Sequence, residues 1–454
     1  MALNFPDTPT IGEIYSTYVW DGQKWQPNEG SVEGGSIGDA PVNSMIYGRK
    51  DALWVQTIKR AGDSMTGPLD LPAAPAPVAA NAVRKDYVDS AITTLDTSLR
   101  AYAAPLDALA YNGMQINGAM DVNQLGVGST VNGYVCDGWA FFGGAVGLGF
   151  VAATYPADGT TPAGFAKFLG IGISTPVPSP AADAYAVLQQ PIEGYRISRL
   201  AWGTASAKPL TLGFWTAHHR TGTYSVGVKL SNQRSYLTTY TQNAADVPEF
   251  KTVTIPGDTA GIWPKDNTAG LTISFALVGG TTFGAPTANT WLAGHYFNAP
   301  GQVNALAATS DLFRITGLVV LPGISAPTAA QSPLIMRPYN QELLTCQRYF
   351  QVFGGGHLSE VAANAQAYNT TGALATVWLR PTMRSGPTFS YVGGWVLTAA
   401  NTSVLAISSI TLNTASPRSA SLNCIVSAGL VSGNVSMLYP NNSLGSLLHF
   451  DARL

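Results

Sequence analysis

The sequence predicts a mainly β protein: an N-terminal module, a short coiled-coil segment, an antiparallel β-sandwich of jelly-roll type and a β-rich C-terminal domain. Three observations predict it. Beyond residue 110, runs of about four to eight β-prone residues alternate with Gly, Pro, Asn and Asp turn signals, the spacing of antiparallel sheets. Helical periodicity is confined to two short stretches, near residues 81–105 and 338–353. Charged residues make up only 11% of the 454-residue chain against 46% apolar, so glycine (48 residues) and neutral polar side chains must cover much of the surface.

Residues 1–40 form a leading module. Its centre, Tyr18-Val19-Trp20-Asp21-Gly22-Gln23-Lys24-Trp25, places Asp-Gly between aromatic residues, a hairpin signal because both positions of a tight turn need φ > 0. Residues 41–80 read as linker and a short β segment, with a Pro/Ala connector at Pro72–Ala80. Over residues 81–109 the period changes. Val88, Ile92, Leu95, Leu99 and Tyr102 are spaced 4, 3, 4, 3, an a/d seam of about three heptads. So short a helix is marginal alone. Either copies of itself cover the seam, or the stripe packs on its own chain.

Residues 110–325 carry the strand-like segments Tyr195–Leu200, Leu210–Trp215, Thr223–Val228, Phe250–Ile255 and Leu271–Ala276, with a turn at Pro256-Gly257-Asp258, where Gly would supply positive φ. Residues 326–454 open on a linker and a helix at Pro338–Phe353. Strands follow at Ala375–Leu379, Thr388–Val392, Ala406–Leu412 and Ser421–Val426.

Composition excludes several function classes. A net charge of −2 without a Lys/Arg run gathers no phosphate backbone and no anionic membrane surface, so no nucleic-acid partner is expected. The most apolar stretch, Trp139–Ala153, is glycine-rich and too short to span a bilayer, so no membrane insertion is expected. Cys136, Cys346 and Cys424 lie too far apart for a disulfide framework or a Cys-rich zinc site and read as small buried residues. No basic segment followed by an apolar one opens the chain. If the protein works outside cells, release by host lysis as part of a virus particle would explain that.

Three stretches then carry a resemblance. Gly62-Asp63-Ser64-Met65-Thr66-Gly67-Pro68-Leu69-Asp70-Leu71, followed by Ala82-Val83-Arg84-Lys85-Asp86-Tyr87-Val88-Asp89, resembles a motif pair of bacteriophage tail fibre and collar-type fibre proteins. Trp20-Asp21-Gly22 with Trp25 resembles the N-terminal, virion-anchoring W-D-G-x-x-W units of tail proteins. Ile192–Val320 and Met336–Phe350 resemble the distal part of tail proteins from phages and prophages of alphaproteobacteria, with a sandwich pattern similar to carbohydrate-binding modules. The resemblance implies a homotrimeric fibre on the phage tail or neck. It would dock by its N-terminus on other tail, neck or portal-region proteins and touch host surface polysaccharide with its distal domains. Such fibres often repeat the shaft motif; a single copy here implies a short fibre.

Catalytic machinery is sparse. There is no G-x-S-x-G elbow, P-loop or H-E-x-x-H motif, and no cofactor is implied. His218 and His219 are adjacent in a strand, point to opposite faces and cannot share a metal; no metal or catalytic residue is assigned. Glu193, Asp246, Glu249, Asp258 and Asp266 are the carboxylates available for glycoside hydrolysis, mostly in turn-like contexts. Sugar binding draws instead on aromatic faces. Trp202, Tyr236, Trp263 and Trp291 are the candidate glycan contacts, with Trp263 and Trp291 expected to be the more exposed and Trp215 expected in the core; buried packing is the alternative for each. Three functions remain open: a glycan-binding trimeric fibre, a collar fibre without a receptor role, and a polysaccharide depolymerase.

Overall fold

The computed structural model describes residues 5–15, 18–27, 47–50, 53–56, 88–94 and 113–454, the last without 127–131, 145–148, 232 and 399–403. The chain forms two compact units, Met1–Thr97 and Ser98–Leu454.

In the first unit β1 (Ile14–Tyr15), β2 (Tyr18–Trp20) and β3 (Trp25–Pro27) make an antiparallel meander. The expected hairpin is present, but its turn is not the two-residue type. Trp20 pairs with Trp25, which leaves a four-residue loop. Asp21 caps that loop with its carboxylate, accepting the backbone N–H groups of Gln23 (2.8 Å) and Lys24 (2.7 Å). Only Gly22 takes a left-handed φ there, +100°. Phe5 stacks on Trp25 at 5.0 Å. β4 (Tyr47–Lys50) and β5 (Leu53–Gln56) form a separate hairpin. Residues 88–94 are a helix, α1, and all seven are exposed. Val88 and Ile92 keep 40% and 59% of their surface in solvent. The remaining seam residues Leu95, Leu99 and Tyr102 lie outside the described residues, as does the 62–71 motif.

The second unit begins with a sandwich built from β6 (Gly133–Cys136), β7 (Trp139–Gly144), β8 (Gly149–Pro156), β9 (Lys167–Thr175), β10 (Tyr185–Glu193), β11 (Leu210–His218), β12 (Gly222–Leu230), β13 (Arg234–Gln242), β14 (Glu249–Ile255), β15 (Ala269–Gly279), β16 (Trp291–Ala293) and β17 (Leu312–Pro322). One sheet has the order β16-β13-β12-β15-β10-β7-β6, the other β14-β11-β17-β9-β8, and the pairings are antiparallel. Inward side chains at alternate positions, among them Trp139, Phe141, Phe214, Phe275 and Phe313, fill the space between the sheets.

Three expected elements differ. Residues 195–200 are not a strand. They form a short helix, α2 (Gly194–Ile197), and a 3₁₀ turn, Ser198–Leu200. Ile197 and Leu200, three apart, are buried while Tyr195 is 60% exposed, so the apolar spacing is helical. Pro256-Gly257-Asp258 ends β14, but Gly257 is not in the left-handed region. Glycine is needed there because a Cβ would lie 2.6 Å from the Ala207 carbonyl. The helix expected to Phe353 stops early: α3 is Tyr339–Gln347, and β18 (Phe350–Phe353) then pairs with a distant strand, a tertiary contact outweighing local spacing.

The C-terminal part adds β19 (Ala363–Ala367), β20 (Gly372–Trp378), β21 (Thr388–Val392), β22 (Trp395–Thr398), β23 (Val404–Ser416), β24 (Ser419–Val426), β25 (Val435–Pro440) and β26 (Leu447–Asp451). Six of these close a barrel in the order β19-β20-β24-β23-β22-β25, flanked by the sheet β18-β26-β21. Ala363, Ala365, Ala367, Ala373 and Ala375 point inward on neighbouring strands, which lets so few strands close.

A strap, residues 113–122, runs outside both sheets. Burial requires its backbone to find partners: Met114 N and Gly118 O bond to the backbone of β17, and side chains meet much of the rest. Gln190 Oε1 accepts from Ile116 N (3.1 Å) and its Nε2 donates to Ile116 O (2.6 Å). Arg337 donates to the carbonyls of Gly113 and Gln115 (2.5 and 3.0 Å) and to Glu342 (3.0 Å), whose other carboxylate oxygen accepts Asn117 N at 2.8 Å. Glu193, 1% exposed, is held by Arg348 (2.9 and 2.5 Å) and by the Tyr349 hydroxyl (2.8 Å), joining β10 to the C-terminal part. The three cysteines are free and buried. No described helix is long and apolar enough to cross a membrane.

Arg337→Met leaves Glu342 buried without its cation and is expected to destabilise the fold by about 3–5 kcal/mol in denaturant unfolding; a change below about 1 kcal/mol would show the strap to be held otherwise. His218 is 1% exposed, stacked on Tyr224 at 3.5 Å and bonded through Nε2 to Tyr240 (2.9 Å). Burial lowers its pKa from 6.5 to about 3. The unfolded chain therefore binds a proton that the folded chain refuses, and stability is lost as pH falls from 6.5 toward about 3. His218→Phe should reduce the slope of stability against pH in that window by up to about 1.4 kcal/mol per pH unit. An unchanged slope would assign the acid lability to other groups.

Candidate functional site

The four aromatic candidates come together. Trp202 follows the 3₁₀ turn, Tyr236 lies on β13, Trp263 in the loop after β14, and Trp291 on β16. Trp202 and Trp263 meet edge-to-face at 4.7 Å, and Trp291 lies 5.3 Å from Trp202, 5.7 Å from Trp263 and 5.4 Å from Tyr236. They form an end-cap on the sandwich, pinned by a buried ion pair between Arg234 and Asp258. Asp258 also accepts the Trp263 indole N–H at 3.2 Å. Trp202, Tyr236 and Trp263 are 2%, 5% and 5% exposed, so their rings face one another and not solvent. The expected exposure of Trp263 is thus corrected: the Asp258 hydrogen bond turns its indole inward. Trp291 is half-buried, its N–H donating to Pro256 O at 2.9 Å. Trp215, expected in the core, sits on the outer side of its sheet. It is half-buried, donates to Ser332 Oγ at 2.9 Å and borders a recess of about 10 Å³, room for a single water.

Each candidate carboxylate is engaged. Glu193 and Asp258 hold the ion pairs described above. Asp246 meets His219 at 2.8 Å, while Glu249 accepts from Asn243, Ala244 and Lys251. Asp266 folds back on Thr268 (2.9 Å), and those hydrogen bonds hold its carboxyl below the usual range. His218 points into the sandwich and His219 out of it. Among the described residues no group of three or more His, Cys, Asp or Glu side chains could hold a metal.

The open surface of the sandwich lies elsewhere, on the outer face of the seven-stranded sheet. Strand register lays Gln189 beside Ser274 and Ala140, and Lys229 beside Thr272, which pairs in turn with Pro191. Apart from Ser274, these residues line a cleft of about 240 Å³ together with Tyr134, Phe142, Ser231, Leu271 and Leu454. Tyr134 and Phe142 supply rings, and Gln189, Ser231, Thr272 and Lys229 supply hydrogen-bonding groups. Gln189 Nε2 donates to Ser274 Oγ at 3.2 Å, which fixes its amide. Beside the cleft, the segment carrying Phe283, His295 and Phe297 covers the rest of the sheet face. The cleft residues come from strands distant in sequence, and the sequence signal that could have found them is the outward register of β7, β10, β12 and β15. A second, broader groove crosses the barrel exterior, where Trp378 and Tyr368 stand 64% and 46% exposed beside Asn364, Gln366 and Thr376.

No protein-family model and no curated protein matches the chain. Among solved structures, the enzymatically active domain of tailspike protein 4 from bacteriophage CBA120 is 11% identical with a TM-score of 0.26, over 47% of this chain and 22% of that chain. This chain thus spans about a fifth of that structure's length. A family 11 carbohydrate-binding module from Clostridium thermocellum, in complex with a mixed-linked tetrasaccharide, is 12% identical with a TM-score of 0.22, over 44% of this chain and 99% of that one. The N-terminal cellulose-binding domain of Cellulomonas fimi β-1,4-glucanase C is 16% identical with a TM-score of 0.22, over 44% and 97%. Likenesses this slight do not bear on function.

Trp202→Ala tests the end-cap. It is expected to cost about 3–5 kcal/mol in stability, as removal of a packed indole does. A loss of saccharide affinity at unchanged stability would instead restore Trp202 as a ligand contact.

Proposed function

We propose that this chain is the subunit of a short phage tail or neck fibre, assembling as a homotrimer and binding host surface polysaccharide through the outer face of its sandwich. The observation that carries the binding role is the cleft: an open depression on a rigid sheet, with rings to stack on sugar C–H faces and neutral amide and hydroxyl groups to meet sugar hydroxyls. The aromatic end-cap supports this role by holding β13 and β16 in place beside it. The trimer is supported by the residue motif at 62–89 and by Val88 and Ile92, which lie solvent-exposed in the single chain and share one side of a helix four residues apart. A low surface charge suits a subunit packed among neighbours.

Light scattering of the full chain should give the mass of three copies; a clean monomer would overturn the fibre reading. On an array of bacterial polysaccharides the protein should bind, and Thr272→Val, which keeps the shape of a half-buried cleft side chain, should lower affinity about three- to tenfold without shifting the melting temperature. A trimer that binds no saccharide would be a collar fibre without a receptor role.

A further inference from the structure

The cleft contains one charged side chain, and its surroundings are unusual for a cation. Lys229 projects from the outer face of β12 and is half-buried. Its ammonium sits 2.9 Å from His295 Nε2 and 4.8 Å from the centre of the Phe297 ring. Among the described residues no carboxylate lies within ion-pairing distance of it, whereas Arg220, Arg234 and Lys251 in the same sandwich each hold one. His295 is neutral: burial, and then the nearby Lys229 charge, lower its pKa to about 4. A neutral imidazole offers one lone pair, so His295 takes one of the three ammonium N–H groups and a second faces a ring. The donor capacity that remains opens on the cleft. No Asp or Glu side chain lines it. The main-chain oxygen of Leu454, at the cleft wall, is taken by the Tyr134 hydroxyl at 2.7 Å.

A cation partly withdrawn from water without a counter-ion costs free energy, and here burial alone lowers the lysine pKa to about 8. The imidazole and ring hold the ammonium in one place, so an incoming anion meets an ordered donor. The other side chains of the lining are uncharged, two of them aromatic, which suits a sugar ring and not a bare inorganic ion.

We infer that the cleft takes an acidic saccharide, its carboxylate seated on Lys229 with the sugar ring against Tyr134 and Phe142. This inference rests on the glycan-binding reading and names its ligand class: a uronic acid or another carboxylated sugar in a surface polysaccharide. Gln189 and Thr272 supply the hydroxyl contacts beside the carboxylate. Lys229 fixes which sugar is accepted, and the neutral groups fix its orientation.

The test compares galacturonic-acid oligosaccharides with the same oligosaccharides after carboxyl reduction, titrated calorimetrically into the full chain, alongside the polysaccharide array. The uronate form is expected to bind about tenfold or more tightly, and to weaken with added salt. Lys229→Met should bring the two forms to equal affinity, and Lys229→Arg should keep part of the preference. Removing a half-buried charge leaves the fold intact, which a melting curve of each variant checks. Equal binding of both forms, with Lys229→Met unchanged, would overturn the acidic-sugar inference while leaving glycan binding standing. A uronate preference that survives Lys229→Met would overturn it too, since the charge would then be read elsewhere. Binding of no saccharide, neutral or acidic, would remove the glycan reading itself.

Discussion

The Ser98–Leu454 unit depends on one buried ionic arrangement, Arg337 with Glu342 and the strap they hold. Residues 113–122 belong to no sheet, and only Met114 N and Gly118 O bond to the β17 backbone, at Val320 O and Leu318 N (each 2.9 Å), so most of the strap's remaining backbone groups look to side chains. Asn117, Gln190, Arg337 and Glu342 meet them, and Gln115 ties the strap to β17 by accepting Val320 N at 3.0 Å; all five are 8% exposed or less. Asn117 takes a left-handed φ of 52° and bonds through its amide to the carbonyls of Val122 and Asp137, while the Trp139 indole donates to the Asn117 carbonyl. At Asn117 the strap thus meets the central tryptophan of the sandwich through its carbonyl and α3 through its N–H, which Glu342 accepts. A buried ion pair of this kind adds little net stability by itself. Its value here is positional: removing either charge strands the other and frees the strap.

The fold class was legible in the sequence because antiparallel strands write alternation into local residues. Leu210–Trp215, Thr223–Val228, Phe250–Ile255 and Leu271–Ala276 all lie inside observed strands. Where reading failed, the deciding contact was remote or the period was ambiguous. Tyr195–Leu200 is rich in β-prone types, yet Ile197 and Leu200 share a burial side only in a helix. Phe350–Phe353 continues an apolar helical spacing but gains a ladder with β26, about 100 residues away. Pro256-Gly257-Asp258 has turn composition, but its glycine answers to the closeness of Ala207 and not to φ.

The site was legible in part. Sequence reading singled out Trp202, Tyr236, Trp263 and Trp291, and these four do converge. It could not show which way their faces turn, since that depends on the Arg234–Asp258 pair, whose members are 24 positions apart. The cleft was missed for the opposite reason. Gln189, Lys229 and Thr272 are unremarkable residues individually; only the register of three strands sets them side by side, and register is a property of the assembled sheet.

The Glu193 clamp has a mechanical meaning. Glu193 ends β10, the strand that carries Gln189, and Arg348 and Tyr349 grip it from the barrel side of the chain. Arg384 adds a second tie across the same junction, donating to Asn267 O at 2.9 Å while Asn267 donates back to Arg384 O at 2.9 Å. A pull on the cleft strand therefore reaches the barrel through ionic and hydrogen bonds at two places instead of through a lone tether. Bonds loaded together share the tension, so the sandwich and the barrel answer to a pull as one piece.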